Sequence, residues 1–187
     1  MKLIYKENFN GDETLLPHKE HMPGAVQFKE MEMKIFTIVI NIIATFIMLI
    51  LLFVYFQLSD FDFNSILIGC ILSLICLFPH EFLHAICFKE TVYLYTYLQQ
   101  GSLFVVGNEN MTKTRFIIMS MLPNLIFGFI PFTLFMIFPQ YSILGALGAL
   151  SIGMGAGDYY NVFNALTQMP KGALTYLNGF HSYWFIP

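Results

Sequence analysis

Two histidines and a glutamate stand within five residues, as His80, Glu81 and His84 of the stretch FPHEFLHAICF. Residues four apart on an α-helix lie about 40° apart around its axis, so both imidazoles project from one face. Glu81 lies about 100° round from His80 and flanks the pair. Two imidazoles on one face can hold a metal ion, and a flanking carboxylate that does not ligate it can take a proton from a water that the metal activates. That is the physical content of H-E-x-x-H on a helix. The neighbouring residues are apolar, and an ionisable group in hydrocarbon costs about 3 kcal/mol or more, so its default explanation is a functional site.

A catalytic zinc site takes three protein ligands and keeps one position for water. The third ligand expected here is Asp158, the only acidic residue besides Glu81 within the apolar segments. His80 precedes Lys89 by nine residues, which puts it roughly 13 Å inside its end of the helix; Asp158 precedes Gln168 by ten, roughly 15 Å inside the same end of its own. The two depths can therefore coincide. Glu90 and Glu109, both in the polar connection that follows, are the alternatives. A metzincin arrangement is excluded, because Cys87 and Glu90 stand where it needs Gly and His.

The elements that must carry these residues are written in the composition. Of 187 residues, 57% are hydrophobic and 11% charged, against about a quarter charged in soluble domains, so an integral membrane protein is expected. Four apolar segments, 35–56, 63–88, 116–138 and 142–167, approach or exceed the roughly 20 helical residues that cross a bilayer. The expected fold is an all-α membrane protein of four transmembrane helices, with a small cytoplasmic β-hairpin between the second and third. TVYLYTYL alternates at strand period, QQGS reads as a turn and LFVV as the returning strand. Residues 1–34 form a cytoplasmic N-terminal segment, 35–170 the transmembrane domain, and 171–187 a cytoplasmic or interfacial tail whose aromatic residues read as an anchor. Four spans put every lysine and arginine on one side, so both termini are expected in the cytoplasm and the chain in the cell membrane. With no apolar stretch at its start, the first span is expected to stay as an anchor rather than be cleaved.

Other features are blander. Cys70, Cys76 and Cys87 have no zinc or disulfide spacing and read as buried small hydrophobes. The stripe Gly145, Ala149, Gly153 and Gly157 allows close helix approach. Pro79 loosens the helix beside His80. His18 and His21 of HKEH read as exposed linker. A net charge of −3 without a basic patch argues against nucleic acid as a partner.

H80-E-F-L-H84 in an apolar helix, followed by a Gly-Asp pair at Asp158, resembles the site-2 protease superfamily of intramembrane zinc proteases. The likeness is nearest to a compact group of zincin-type membrane peptidases classed as a domain of unknown function, through NENMTKTRFIIMSMLPNL and GAGDYYNVFNAL, and it covers roughly residues 65–170. The resemblance implies Zn²⁺ held by His80, His84 and Asp158, with Glu81 as catalytic base. Established site-2 proteases carry Asp-Gly at the third ligand, where this chain has Gly157-Asp158. The expected activity is hydrolysis of peptide bonds in membrane or membrane-proximal proteins within a lipid bilayer. Asn124, Asn161 or a tyrosine is expected near the oxyanion, and the Val92–Leu98 strand at an edge where substrate can pair. The rival reading is a non-catalytic membrane protein, either a pseudoprotease that binds partners or a metal carrier. The sequence leaves the oligomeric state open.

Overall fold

The computed structural model describes residues 1–187, all side chains included except those of Met33 and Gln100. Its architecture corrects the expectation of an all-α protein with four spans. The fold is mixed: among the described residues there are seven α-helices, a π-helical turn and two β-sheets, and two helices, or three if a bent pair counts as one, are long and apolar enough to cross a membrane.

The reasons are local. Helix α1 (Met33–Leu58) is a single long apolar helix. The second apolar segment breaks at Cys76 into α2 (Phe63–Ile75) and α3 (Leu77–Ile86), bent by 41°. Pro79 explains the bend: it has no N–H for the carbonyl four residues back, and its ring crowds that carbonyl, which belongs to Ile75 at the end of α2. The third segment runs through α4 (Lys113–Asn124), a π-helical turn (Leu125–Phe129) and α5 (Ile130–Ile137), and keeps a span's length over Lys113–Ile137. The fourth splits at Gly155 into α6 (Ser142–Met154) and α7 (Ala156–Gln168). Thirteen residues reach only about 20 Å, short of the roughly 30 Å of hydrocarbon. GMGAG makes the break cheap, because each glycine costs a helix about 1 kcal/mol. With three spans or two, the basic residues no longer all fall on one side, so the inference that both termini are cytoplasmic loses its basis.

The chain forms two compact units. The first gathers Met1–Glu30, Glu81–Ser120 and Asn161–Pro187. Its three-stranded sheet has the order β1-β3-β4, with β1 (Lys2–Asn8) parallel to β3 (Thr91–Tyr97) and β4 (Ser102–Val106) antiparallel to it. The turn back between β3 and β4 falls at QQGS, but β3 is the central strand. Both its edges are taken, so Val92–Leu98 cannot receive a substrate strand as expected. The second sheet, β2-β7-β6-β5, joins β2 (Val26–Gln27) and β5 (Met111–Thr112) to a hairpin of β6 (Leu174–Asn178) and β7 (His181–Phe185). The tail read as an interfacial anchor is thus a strand pair. Gly179, at φ +62°, takes the first position of a two-residue loop that favours glycine there. One core of this unit packs Ala85, Phe88, Phe116, Met119 and Ala165; another rings Phe9 with Tyr95, Tyr97, Phe104 and Phe180 edge-on.

The second unit, Met31–His80 and Met121–Tyr160, is helical. Its core centres on Tyr55, Phe132, Phe135, Ala146, Ala149 and Ile152. The glycine stripe serves close packing: a Cβ on Gly148 would meet the Phe132 backbone nitrogen at 2.6 Å. Helix α1 leaves Ile38, Ile42, Phe46, Leu49 and Phe53 at least 60% exposed.

Candidate metal centre

Helix α3 carries His80, Glu81 and His84. One ligand atom from each lies within 4.8 Å of the others, the one such His/Cys/Asp/Glu group among the described residues. The helix is short but regular where it matters: the His80 N–H donates to the Cys76 carbonyl at 2.8 Å. His80 and Glu81 are half-buried, while His84 is 6% exposed. The His84 Nδ1 is 2.8 Å from the Met119 carbonyl oxygen. A carbonyl only accepts, so Nδ1 must carry the proton, and the neutral ring then keeps its lone pair on Nε2. Metal-ligating histidines characteristically have such a bond on their other nitrogen.

In the helical unit, Asp158 Oδ2 lies 3.3 Å from His80 Nε2. The break at Gly155 puts Asp158 in the first turn of α7, where the helix dipole favours a carboxylate. Its orientation comes from α4: Asn124 Nδ2 donates to Asp158 Oδ2 at 2.7 Å. Asn124, at 1% exposure, fits only because residue 155 has no side chain, since a Cβ there would overlap the amide oxygen. The Tyr159 hydroxyl donates to the Ile152 carbonyl at 2.9 Å and lies 3.4 Å from Asn124 Oδ1.

The rival third ligands have other surroundings. Glu109 is buried, and its carboxylate accepts from the backbone N–H groups of Lys89 (2.6 Å) and Glu90 (2.9 Å) and from the Arg115 guanidinium. Arg115 also donates to the Cys87 carbonyl beyond the end of α3. Burial pushes the Glu109 carboxyl up, but Arg115 and the two N–H groups outweigh it and hold its pKa below the ordinary value. Glu90 is exposed.

The remaining expectations sort out simply. Asn124, expected near an oxyanion, donates to Asp158 Oδ2, and Asn161 is half-buried on α7. His18 bonds Asn178 and the Glu13 carbonyl, and His21 bonds the Tyr176 hydroxyl, so each is tied into the polar framework. The three cysteines are half-buried rather than buried, and unbridged. Sequence reasoning missed the Met119 carbonyl, Gly155 and the Asn124–Asp158 bond. An asparagine after a proline in an apolar run was the available signal, since polar groups in such runs require a reason.

The H-E-x-x-H helix, with His84 anchored through Nδ1, brings together a group of side chains able to hold a metal ion. The family described as "Putative zincin peptidase" matches residues 71–174, and the chain belongs to it. No curated protein and no solved structure matches the chain.

Proposed function

We propose that the protein is a membrane-embedded zinc endopeptidase that hydrolyses peptide bonds of membrane or membrane-proximal proteins. His80, His84 and Asp158 hold the zinc, and Glu81 is the general base and acid. The observation that carries this reading is the convergence of the His80, Glu81 and His84 ligand atoms within 4.8 Å, with Asp158 3.3 Å from His80. The residues fit the ion: two neutral imidazoles and one carboxylate are a borderline-soft donor set suited to Zn²⁺, and both the His84 ring and Asp158 are oriented from behind.

Zinc, when bound, supplies a Lewis acid that polarises the scissile carbonyl and acidifies water. Glu81 takes the proton from the attacking water and delivers it to the leaving amine. Asn124 keeps the Asp158 carboxylate turned towards His80, and Met119 keeps His84 in the tautomer with its lone pair on Nε2.

The membrane reading is supported by the apolar face of α1 and by the length of the Lys113–Ile137 span. The ionisable cluster His80, Glu81 and His84 in a bent pair of apolar helices is a further support for it. The lipid bilayer is then a standing partner, and a polypeptide the substrate.

The test is to purify the chain in detergent, quantify zinc, and compare wild type with Glu81→Gln on an unfolded membrane-anchored substrate. Stoichiometric zinc in both, with kcat/KM lowered in the variant by about 10²- to 10⁴-fold, is expected. A zinc-free wild type, or equal cleavage by both proteins, would overturn the reading in favour of a non-catalytic protein. Full zinc occupancy in Asp158→Ala would remove Asp158 from the ligand set.

A further inference from the structure

The geometry points to Pro123 as a positioning residue for the metal centre: it reserves the Met119 carbonyl for His84. The inference rests on the proposed role of His84 as a zinc ligand, and adds a residue that touches neither the metal nor the substrate.

In an α-helix the carbonyl of residue i accepts from the N–H of residue i+4 and points along the helix axis. Met119 and Pro123 are such a pair within α4, and proline has no N–H to give. Its ring also crowds the carbonyl four residues back and tips it away from the axis. A tipped carbonyl, released from its helical donor, can receive a bond from the side. The His84 Nδ1 is there, 2.8 Å away. His84 is 6% exposed and Met119 8%, so water is a poor substitute for either partner. An ordinary residue at 123 would aim its own N–H at the same oxygen and draw it back into line.

The consequence reaches the metal through the imidazole. While Nδ1–H bonds the carbonyl, the ring is fixed in rotation and tautomer, and Nε2 carries the lone pair that a metal takes. If the bond weakens, the ring samples the other tautomer and other rotations, and each must be reversed before zinc binds.

Pro131 supplies the internal control. It lies in the same run of helix and is buried, and its own missing N–H falls beyond the π-helical turn, away from the Met119 carbonyl.

The full chain in detergent is compared as wild type, Pro123→Ala and Pro131→Ala, by competition for Zn²⁺ and by ¹⁵N spectra of labelled histidine with and without zinc. Pro123→Ala is expected to weaken zinc binding 10- to 100-fold, the range for losing an outer hydrogen bond to a ligand, and to convert the Nδ1–H form of His84 into a mixture. Pro131→Ala is expected to keep both properties. Unchanged affinity in Pro123→Ala, or equal loss in both variants, would overturn the inference. So would an Nε2–H ring for His84 in metal-free wild type, a readout that stands even if Pro123→Ala fails to fold. A wild type that binds no zinc would instead undo the functional reading, so the two failures are distinguishable.

Discussion

Glu109 and Asp158 are both carboxylates among packed side chains, one in the sheet-bearing unit and one in the helical unit, and they are held in opposite ways. Glu109 is met by the Arg115 guanidinium and two backbone N–H groups. Asp158 is met by the neutral amide of Asn124 and faces an imidazole. A cation and two fixed donors neutralise a carboxylate and consume its lone pairs. A neutral amide aims a carboxylate without neutralising it. The same functional group thus becomes framework in one place and a candidate ligand in the other, and its nearest donors decide which.

The comparison breaks most severely at Gly155. Gly155→Ala places a Cβ on the Asn124 amide oxygen, so Asn124 must turn away and Asp158 loses its 2.7 Å bond. Zinc affinity should fall about 10- to 100-fold, and overpacking should cost about 1–3 kcal/mol of stability, read by zinc competition and thermal unfolding in detergent. Next comes Glu109→Gln, expected to cost about 2 kcal/mol, the scale of hydrogen bonds to a charged group, with zinc affinity unchanged. A loss of zinc with this variant would mean that Glu109 is a ligand after all.

The same variant carries a pH signature. The Glu109 pKa is lower in the fold than its ordinary 4.5. Its stabilisation is therefore complete above about pH 4.5 and is lost as pH falls through the lower folded value. Wild type should lose stability over that interval, and the glutamine variant should show a shallower slope in acid unfolding curves. The smallest effect is expected for Gly179→Ala. Its φ of +62° suits glycine, so the cost should be about 1 kcal/mol, seen as a few degrees of Tm with zinc binding intact. Together the last two variants separate damage to the framework from damage to the site.

What the sequence discloses follows the range of the forces involved. The i, i+4 relation of His80 and His84 is local, and helix geometry alone brings their rings to one face. Depth counting points to Asp158, and in the structure it lies beside His80. The polar connection after α3 shows its strand period plainly. Helix continuity is what an apolar run conceals, because residues 63–88 and 142–167 have the composition of spans whether broken or not. The breaks come from one proline's missing N–H and a few glycines' low helix propensity, which composition averages away. Strand partners are concealed for another reason: nothing near Lys2 announces Thr91. The tail was legible in principle, since LNGFH between alternating residues is a hairpin signal, but its aromatic content reads equally well as an anchor.

The parallel pairing of β1 with β3 also sets a timetable. Strand β1 is synthesised before its partner at Thr91–Tyr97, which leaves the ribosome about 90 residues later. At 5–20 residues per second that is a wait of roughly 5–20 s. Until then β1 lacks the partner it has in the fold. Lys2, Lys6 and Glu7 lie in that segment, and charges of this kind keep an unpaired strand from joining the wrong neighbour. The second sheet waits longer still, because β2 gains its partner β7 only about 155 residues later. The H-E-x-x-H helix α3 is thus made before either sheet can close.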